Sequence, residues 1–220
     1  MSDKNLNQWV VSHNSDYAAV RNRLEYVRNI TLYGRIDATA DILERAYMFA
    51  VLSIQTQKDR HESAFVAHYS GDVSQKDAAL QTVYGGQKYG WIKSTFESVD
   101  WELLAIAVRY HAERGDLDTL LDVVVDNLTG VSYRKASFML AMCGLYEFMC
   151  IDSNVGRYAD IDGDKEFYSA SAYFDSCQEI YQSADIQALP PYVLQWAIYD
   201  FERGEHSRHM AYFHEILPNL

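Results

Sequence analysis

Proline is absent from this 220-residue chain until Pro190. Proline removes a backbone donor and disrupts helix interiors, so its absence allows long uninterrupted helices in this stretch. Apolar residues recur there every three to four positions, the period of an amphipathic helix, while the alternation typical of strands is scarce. Apolar residues make up 49 % of the chain, enough for a large core. The sequence therefore predicts an all-α fold.

Capping residues divide the chain into predicted helices. Asp100 opens an amphipathic stretch that ends before Gly115. Ser132 and Asp152 are candidate N-caps, each at the start of a further predicted helix. Pro190 stands where a helix start tolerates proline. The predicted helices are 38–57, 75–84, 89–98, 100–114, 116–126, 132–144, 153–159, 169–183, 190–203 and 205–216, and 160–166 is predicted as a loop.

The net charge of −12 and the three cysteines indicate the cellular environment of the protein. Asp outnumbers Glu and Arg outnumbers Lys, a pattern typical of a high-salt (halophilic) cytoplasm, with an ordinary acidic enzyme as the alternative. The irregular cysteine spacing favours buried thiols over a disulfide framework or a zinc knuckle. Residues 1–14 lack the layout of a signal peptide, and no apolar run reaches about 18 residues, so we expect an intracellular, cytoplasmic protein.

The segment 128–158 has the most specific pattern in the chain. It reads LTGVSYRKASFMLAMCGLYEFMCIDSNVGRY, a glycine turn, a helix, an apolar link and an Asp-capped helix. A glycine turn at a helix N-terminus exposes backbone N–H groups that favour a phosphate, and Arg134 and Lys135 follow directly. On turn chemistry alone, a plain helical hairpin with a surface basic pair is the alternative.

This segment resembles the helix-hairpin-helix (HhH-GPD) DNA glycosylases, the family of endonuclease III, the adenine-mismatch glycosylase and the archaeal 8-oxoguanine glycosylase. Their motif runs Leu-Pro-Gly-(Val/Ile)-Gly-x-Lys-x-Ala, then an apolar helix, then Asp-x-(His/Asn)-Val-x-Arg. Here residues 128–136 read LTGVSYRKA and residues 151–157 read IDSNVGR. The gap between the two halves is also similar to that in the family.

Three other segments resemble the family. Residues 52–57 read LSIQTQ, similar to the Leu-Ser-x-Gln-x-Thr of an early family helix. Residues 84–93 read YGGQKYGWIK, which is similar to a glycine-then-lysine segment, and residues 194–197 read LQWA, similar to the helix that closes the cleft. The likeness covers about residues 38–217, a length typical of one unit.

The resemblance implies a helix-hairpin-helix glycosylase fold, in which two helical subdomains flank a cleft. One subdomain would contain residues 1–37 together with 145–220. The other would contain residues 38–144 and end in the helix-hairpin-helix at about 116–143. The family acts on double-stranded DNA, and we expect a monomer.

The resemblance also assigns roles to individual residues. Asp152 matches the essential aspartate, whose carboxylate stabilises positive charge at the sugar C1′ and orients water. Its structural alternative is an N-cap, and the helix dipole there would keep it ionised. Gln55 matches the side chain inserted into the gap left by a flipped base, with an ordinary helix glutamine as the alternative. The other residues matched to DNA contacts are Gly130, Val131, Ser132, Asn154 and Lys93.

Family members that also cut the DNA strand use a lysine that forms a Schiff base. Ungapped alignment places Arg134 at that position, and a guanidinium cannot act as an amine nucleophile. Lys135 lies one position further, about 100° around a helix. The resemblance therefore implies a monofunctional glycosylase, with Lys135 as the reserve nucleophile and both cations near DNA. Ala50 replaces the glutamate of the adenine-mismatch branch, which argues against adenine excision by that route.

The resemblance implies few cofactors. The iron–sulfur cysteines of many members are missing, since Cys177 is the last cysteine. Hairpin carbonyls in the family also hold a monovalent cation, so Na⁺ or K⁺ is expected at the 130–132 turn. His206, His209 and His214 are interpreted as a solvated helix face rather than metal ligands.

The acidic net charge opposes DNA binding unless basic residues are concentrated locally. The matched segments and their edges hold several basic residues, so we expect a basic groove on an acidic body. These residues are Lys58, Arg60, Lys88, Lys93, Arg134, Lys135 and Arg157. The predicted function is a DNA N-glycosylase of base excision repair. The alternatives are a non-catalytic DNA-binding or lesion-recognition module and a relative that tailors modified DNA bases.

Overall fold

The computed structural model describes residues 5–53, 58–70, 86–161, 167–184 and 189–204, and every regular element in these ranges is an α-helix. The all-α prediction is confirmed for this part of the chain. The helices are α1 (Leu6–Ser12), α2 (Asn14–Tyr33), α3 (Ile36–Leu52), α4 (Lys58–Ser70), α5 (Gln87–Ser98), α6 (Trp101–Arg114), α7 (Leu117–Asn127), α8 (Tyr133–Met142), α9 (Ser153–Tyr158), α10 (Ala170–Ser183) and α11 (Pro191–Arg203).

Helix α3 lies at the centre of the fold. Residues 46–52, in its C-terminal half, are all buried. A helix that is apolar on every side must be covered on every side. Helices α2, α4, α5, α6 and α8 all pack against α3. Helix α3 ends at Leu52, and both α5 and α8 pack against it.

Local capping chemistry sets several helix ends. The Asp100 carboxylate accepts a hydrogen bond from the Leu103 amide at 3.0 Å and begins α6. Gly115 ends α6 in the left-handed region with φ +73°. The Ser169 hydroxyl accepts a hydrogen bond from the Ala172 amide at 3.2 Å and begins α10. These predicted boundaries are confirmed to within a residue.

The first two helices, α1 and α2, are absent from the sequence-based prediction. The Asn5 side chain caps α1 by accepting a hydrogen bond from the Asn7 amide at 2.8 Å. The Trp9 indole N–H donates to the Tyr17 hydroxyl at 3.0 Å, and that hydroxyl donates to the buried Asp200 carboxylate at 3.1 Å. These polar contacts join α1 and α2 to α11, so long-range contacts stabilise the N-terminal helices.

The side chain of Arg109 caps the C-terminal end of α2. The Arg109 guanidinium, on α6, donates to the carbonyl oxygens of Thr31 and Gly34, each at 2.7 Å, and also to the Thr39 hydroxyl. The last carbonyls of a helix lack intrahelical donors and need partners elsewhere. Because Thr39 belongs to α3, this side chain joins three helices.

Some predicted elements lie outside the described residues. They include the helices predicted at 75–84 and 205–216 and most of the loop predicted at 160–166. The division into two subdomains stays a prediction. Within the described ranges, no helix combines the length and the apolar character needed to cross a membrane.

Candidate active site

The backbone that leads into α9 is held by side chains from three helices. The Met149 carbonyl accepts hydrogen bonds from the Ser137 hydroxyl at 2.7 Å and from the Tyr173 hydroxyl at 2.8 Å. The Cys150 amide donates to the Gln195 side-chain oxygen at 2.7 Å. A buried link without helix or sheet partners needs such side-chain bonds. These bonds fix the start of α9 relative to α8, α10 and α11.

Asp152 is the N-cap of α9, as the sequence predicts. Its Oδ1 atom accepts hydrogen bonds from the amides of Asn154 at 2.8 Å and Val155 at 2.9 Å. Both bonds go to one carboxylate oxygen, so the cap does not use Oδ2. The residue as a whole is half-buried. The catalytic role of Asp152 stays a prediction.

Opposing influences set the pKa of Asp152. Burial is the largest and raises the pKa above the ordinary value of aspartate. Hydrogen bonds from the Val155 and Asn154 amides lower it, and so does the positive charge of Lys135. The capping hydrogen bonds therefore lower the pKa of Asp152 by less than burial raises it. A carboxylate that is poorly solvated in this way interacts strongly with positive charge placed beside it.

The hairpin turn before α8 is built around Gly130, whose φ is +80°. A Cβ at this position would lie 2.5 Å from the Trp91 ring, so both the backbone conformation and the packing require glycine. The Thr129 amide donates to the Thr95 hydroxyl at 3.1 Å, and the Thr129 carbonyl accepts from the Tyr47 hydroxyl at 3.0 Å. The turn is therefore anchored to both α3 and α5.

Val131 and Ser132 complete the turn, the first buried and the second exposed. Ser132 occupies the predicted N-cap position of α8, but its side chain makes no capping hydrogen bond. Its φ of −95° is accessible to any residue, so serine fits where the family has a second glycine. The Ser132 carbonyl accepts a hydrogen bond from the Ala136 amide at 2.8 Å. The Thr129 and Ser132 carbonyls thus both accept hydrogen bonds from within the protein. The binding of a monovalent cation at this turn stays a prediction.

Lys135 and Arg134 point to different surroundings. The Lys135 Nζ donates to the Ser53 hydroxyl at 3.1 Å, and its charge is among the main influences on Asp152. Burial lowers the pKa of Lys135, while Cys150 and Asp152 raise it. The Arg134 guanidinium instead lies 5.6 Å from the centre of the Phe167 ring. Of these two residues, Lys135, the reserve nucleophile, is therefore the one whose charge acts on the candidate catalytic carboxylate.

Lys88 is a further member of this site. It is only 5 % exposed, and its Nζ donates to the Leu52 carbonyl at 3.3 Å. Burial and then the charge of Lys135 lower the pKa of Lys88 to about 8. The sequence predicts Lys88 only as a residue of the basic groove, because it lies in the segment 84–93. Nothing in that segment indicates that its side chain points inward.

Other predicted contact residues lie elsewhere. Lys93 is exposed, with its Nζ 3.9 Å from a Glu97 carboxylate oxygen. Arg157 is also exposed, with its Nη1 3.6 Å from a Glu202 carboxylate oxygen. Gln55 lies outside the described residues. The predicted basic groove thus stays a prediction.

The structure describes the three cysteines, but not the three histidines that were considered as metal ligands. Cys143, Cys150 and Cys177 are buried free thiols, as predicted. Burial raises the pKa of the Cys150 thiol to about 12, so this neighbour of Lys135 is uncharged at neutral pH. Within the parts of the chain described above, no three His, Cys, Asp or Glu side chains are grouped to hold a metal. The histidines after position 204 lie outside those parts.

Comparison with known proteins gave no match. No family model matches the chain, and no curated protein or solved structure matches it significantly. The resemblance to helix-hairpin-helix DNA glycosylases therefore rests on the motifs at 128–136 and 151–157.

Proposed function

We propose that this chain is a DNA N-glycosylase. It swings a damaged or modified base out of double-stranded DNA and hydrolyses the N-glycosidic bond of that base. In this reaction the oxygen of water bonds to C1′, the C1′–N bond breaks, and the base leaves with the electron pair and gains a proton. Asp152 stabilises positive charge at C1′, Gln55 fills the gap in the duplex, and the 130–132 turn binds a DNA phosphate.

The observation that supports this function best is the fixed position of the Asp152 carboxylate at the start of α9. Lys135, from the other half of the matched motif, also acts on this carboxylate through its charge. Asp152 is half-buried, capped on Oδ1 and held by a backbone link bonded to three helices. A carboxylate positioned in this way suits charge stabilisation better than a mobile surface carboxylate does, because it requires no rearrangement during the reaction.

The strength of this stabilisation depends on shielding from water. Two opposite charges 4 Å apart attract by about 4 kcal/mol at an effective dielectric constant of 20, and by about 1 kcal/mol in water. Burial already raises the pKa of Asp152, so its surroundings are less polar than water. A positive charge that develops at C1′ beside this carboxylate is therefore strongly stabilised.

The hairpin supports the DNA-binding part of the proposal. Gly130 and Thr129 are fixed by contacts with α3 and α5, and the exposed Ser132 stands at the N-terminus of α8. The first amides of a helix have no intrahelical acceptors and attract a phosphate. A turn that is already rigid loses little conformational entropy when it binds.

The position of Lys135 favours a second activity, cleavage of the DNA strand. In this step the neutral Lys135 amine bonds to C1′ while the C1′–N bond to the base breaks, and the base leaves with that electron pair and takes the proton that the amine gives up. The bond from C1′ to the ring oxygen then breaks, the ring oxygen gains a proton from solvent, and a protonated imine forms. Elimination of the 3′ phosphate then cuts the strand. Burial lowers the pKa of Lys135, which increases the neutral fraction. Arg134, at the aligned position, lies over Phe167 instead.

The test uses duplexes that each carry a single uracil, hypoxanthine, 8-oxoguanine or 7-methylguanine. We expect the wild type to release at least one of these bases, in low or in molar salt. Asp152→Asn should lower the single-turnover rate roughly 100-fold or more, as removal of one charge-stabilising group typically does. Its affinity for the same duplex should stay close to that of the wild type, since Asn retains the cap.

Asp160→Asn is the matched control, because it changes a carboxylate just beyond the same short helix. Asp160 is exposed and has a φ of +56°, a conformation that Asn tolerates. This variant should release base at the wild-type rate. Equal rates for wild type and Asp152→Asn would contradict the proposed role of Asp152. DNA binding by a wild type that releases no base would favour the non-catalytic module.

A further inference from the structure

The Ser53 hydroxyl, at the C-terminal end of α3, makes two hydrogen bonds with different partners. It donates to the Ala50 carbonyl at 2.8 Å, in the last turn of α3, where carbonyls lack intrahelical donors. It accepts from the Nζ of Lys135, on α8, at 3.1 Å. A serine hydroxyl has one hydrogen to donate, and here Ala50 accepts it. Ser53 therefore contacts Lys135 only as an acceptor.

This arrangement affects the lone pair of the Lys135 amine. A neutral amine has two N–H groups and one lone pair, and only the lone pair can bond to C1′. If the Ser53 hydrogen had no other acceptor, it would bond to this lone pair and compete with the reaction. Because Ala50 accepts that hydrogen, an N–H of the amine points at Ser53 and the lone pair points elsewhere.

The hydrogen bond to Ser53 differs from the other contacts of Lys135 in its dependence on charge. The Lys135 Nζ lies 5.4 Å from the centre of the buried Phe138 ring, which attracts an ammonium group. Asp152 also attracts the ammonium group through its charge. Both attractions weaken when Lys135 loses its proton, whereas an N–H of the neutral amine still donates to Ser53. The position of the reactive, neutral form therefore depends mainly on Ser53.

We infer that Ser53 is a positioning residue for Lys135, which holds one N–H of the neutral amine and keeps its lone pair free for C1′. This inference rests on the proposed strand cleavage and gives the end of α3 a role in that step. Ser53 acts through Lys135 and bonds to no atom of the DNA.

The first test measures the mobility of Lys135 without DNA. In protein with ¹³C-labelled lysine, the NMR order parameter of the Lys135 Cε atom reports side-chain motion, and the spectrum of Lys135→Met assigns its signal. Burial lowers the pKa of Lys135 below 10.5, so more than half of this residue is neutral at pH 10.5. At this pH we expect an ordered Lys135 in the wild type. In Ser53→Ala the order parameter should fall below about 0.6.

Two comparisons separate the hydroxyl from other effects. Ser53→Thr keeps a hydroxyl and should keep Lys135 ordered. The described titratable groups that interact with Lys135 are Asp152, Cys150 and Lys88. They are the same in the wild type and in the Ser53 variants, so a difference at equal pH is due to the hydroxyl.

The second test traps the imine on a duplex that contains an abasic site. The Lys135 amine bonds to C1′ of the ring-opened aldehyde, water leaves, and borohydride transfers a hydride to C1′ of the imine. Because an amine that is poorly oriented reacts slowly, Ser53→Ala should lower the trapping rate roughly tenfold or more. Ser53→Thr should restore it.

Ser183→Ala is the matched control for the trapping rate. The Ser183 hydroxyl donates to the Ile180 carbonyl at 2.9 Å, so it makes the same type of bond at the end of another helix, α10. Its removal should leave the trapping rate at the wild-type value.

The outcomes of the two tests are distinguishable. Equal order parameters in the wild type and Ser53→Ala overturn this inference, whether or not DNA is trapped. Equal trapping rates in these two proteins also overturn it, because the orientation of the amine then has no effect on the reaction. A wild type that traps no DNA overturns the proposed strand cleavage, while the order parameters still decide whether Ser53 holds Lys135.

Discussion

The indole ring of Trp91 packs directly on Gly130, at a distance of 2.5 Å from where a Cβ would lie. Gly130 also has a φ of +80°, so Gly130→Ala adds backbone strain to a steric clash. The strain costs about 1–2 kcal/mol, and overpacking a tight site costs about 1–3 kcal/mol. We expect the free energy of unfolding, measured in urea, to fall by about 3 kcal/mol.

Gly115→Ala is the matched control for this clash. Gly115 has a similar φ of +73°, but a Cβ there would meet no atom within 4 Å. It should therefore show only the conformational cost, about 1 kcal/mol. If both substitutions reduce the free energy of unfolding equally, the Trp91 ring contributes nothing to the requirement for glycine at the hairpin.

The Tyr173 hydroxyl holds the backbone that precedes Asp152. It donates to the Met149 carbonyl at 2.8 Å and accepts from the Ile151 amide at 3.0 Å. Tyr173→Phe leaves this buried amide without its acceptor, which costs about 1–3 kcal/mol. We expect lower stability in urea and, under the proposed function, slower base release because Asp152 loses its fixed position.

Tyr33→Phe provides the comparison for the Tyr173 substitution. Tyr33 is 73 % exposed, so removal of its hydroxyl should change the free energy of unfolding by less than about 0.5 kcal/mol. A Tyr173→Phe variant as stable as Tyr33→Phe would show that the link does not depend on this hydroxyl.

The stability contribution of Asp152 depends on pH. Its pKa is raised in the folded protein, mainly by burial, so the folded state binds this proton more tightly than the unfolded state. The ionised group is therefore unfavourable to folding at neutral pH, and this cost disappears as the pH falls below the pKa values of both states. Asp152→Asn keeps the cap, so we expect it to unfold at a higher urea concentration than the wild type at pH 7.

The advantage of Asp152→Asn should vanish in acid, where the wild-type carboxyl is protonated as well. Asp152→Ala lacks both the charge and the cap, so it should be about 1 kcal/mol less stable than Asp152→Asn at every pH. An Asn variant less stable than the wild type at pH 7 would mean that the cap requires a charged oxygen, contrary to the pKa shift.

Lys135, rather than Arg134, should form any covalent adduct with DNA. Borohydride reduction during the reaction traps an imine between an amine and C1′. We expect a trapped protein–DNA band with the wild type and with Arg134→Met, and none with Lys135→Met. Gel electrophoresis of labelled duplex measures the band. If trapping persists in Lys135→Met, the nucleophile is another amine. Lys88→Met would then test the next candidate.

The sequence by itself determined the local features of the fold. The cap at Asp152, the glycine end at Gly115 and the turn at Gly130 could be predicted because these preferences depend on a few neighbouring residues. The buried character of α3 was also predictable, since it follows from apolar residues on all sides of one helix.

The tertiary structure decided which side chains share the candidate site. Adjacent helix residues differ by about 100° in direction, so only the packing of α8 determines that Lys135 rather than Arg134 acts on Asp152. Lys88 reads as a surface residue in the sequence, and contact with the end of α3 buries it. Such choices depend on the rotation of whole helices against one another, which contacts distant in sequence set.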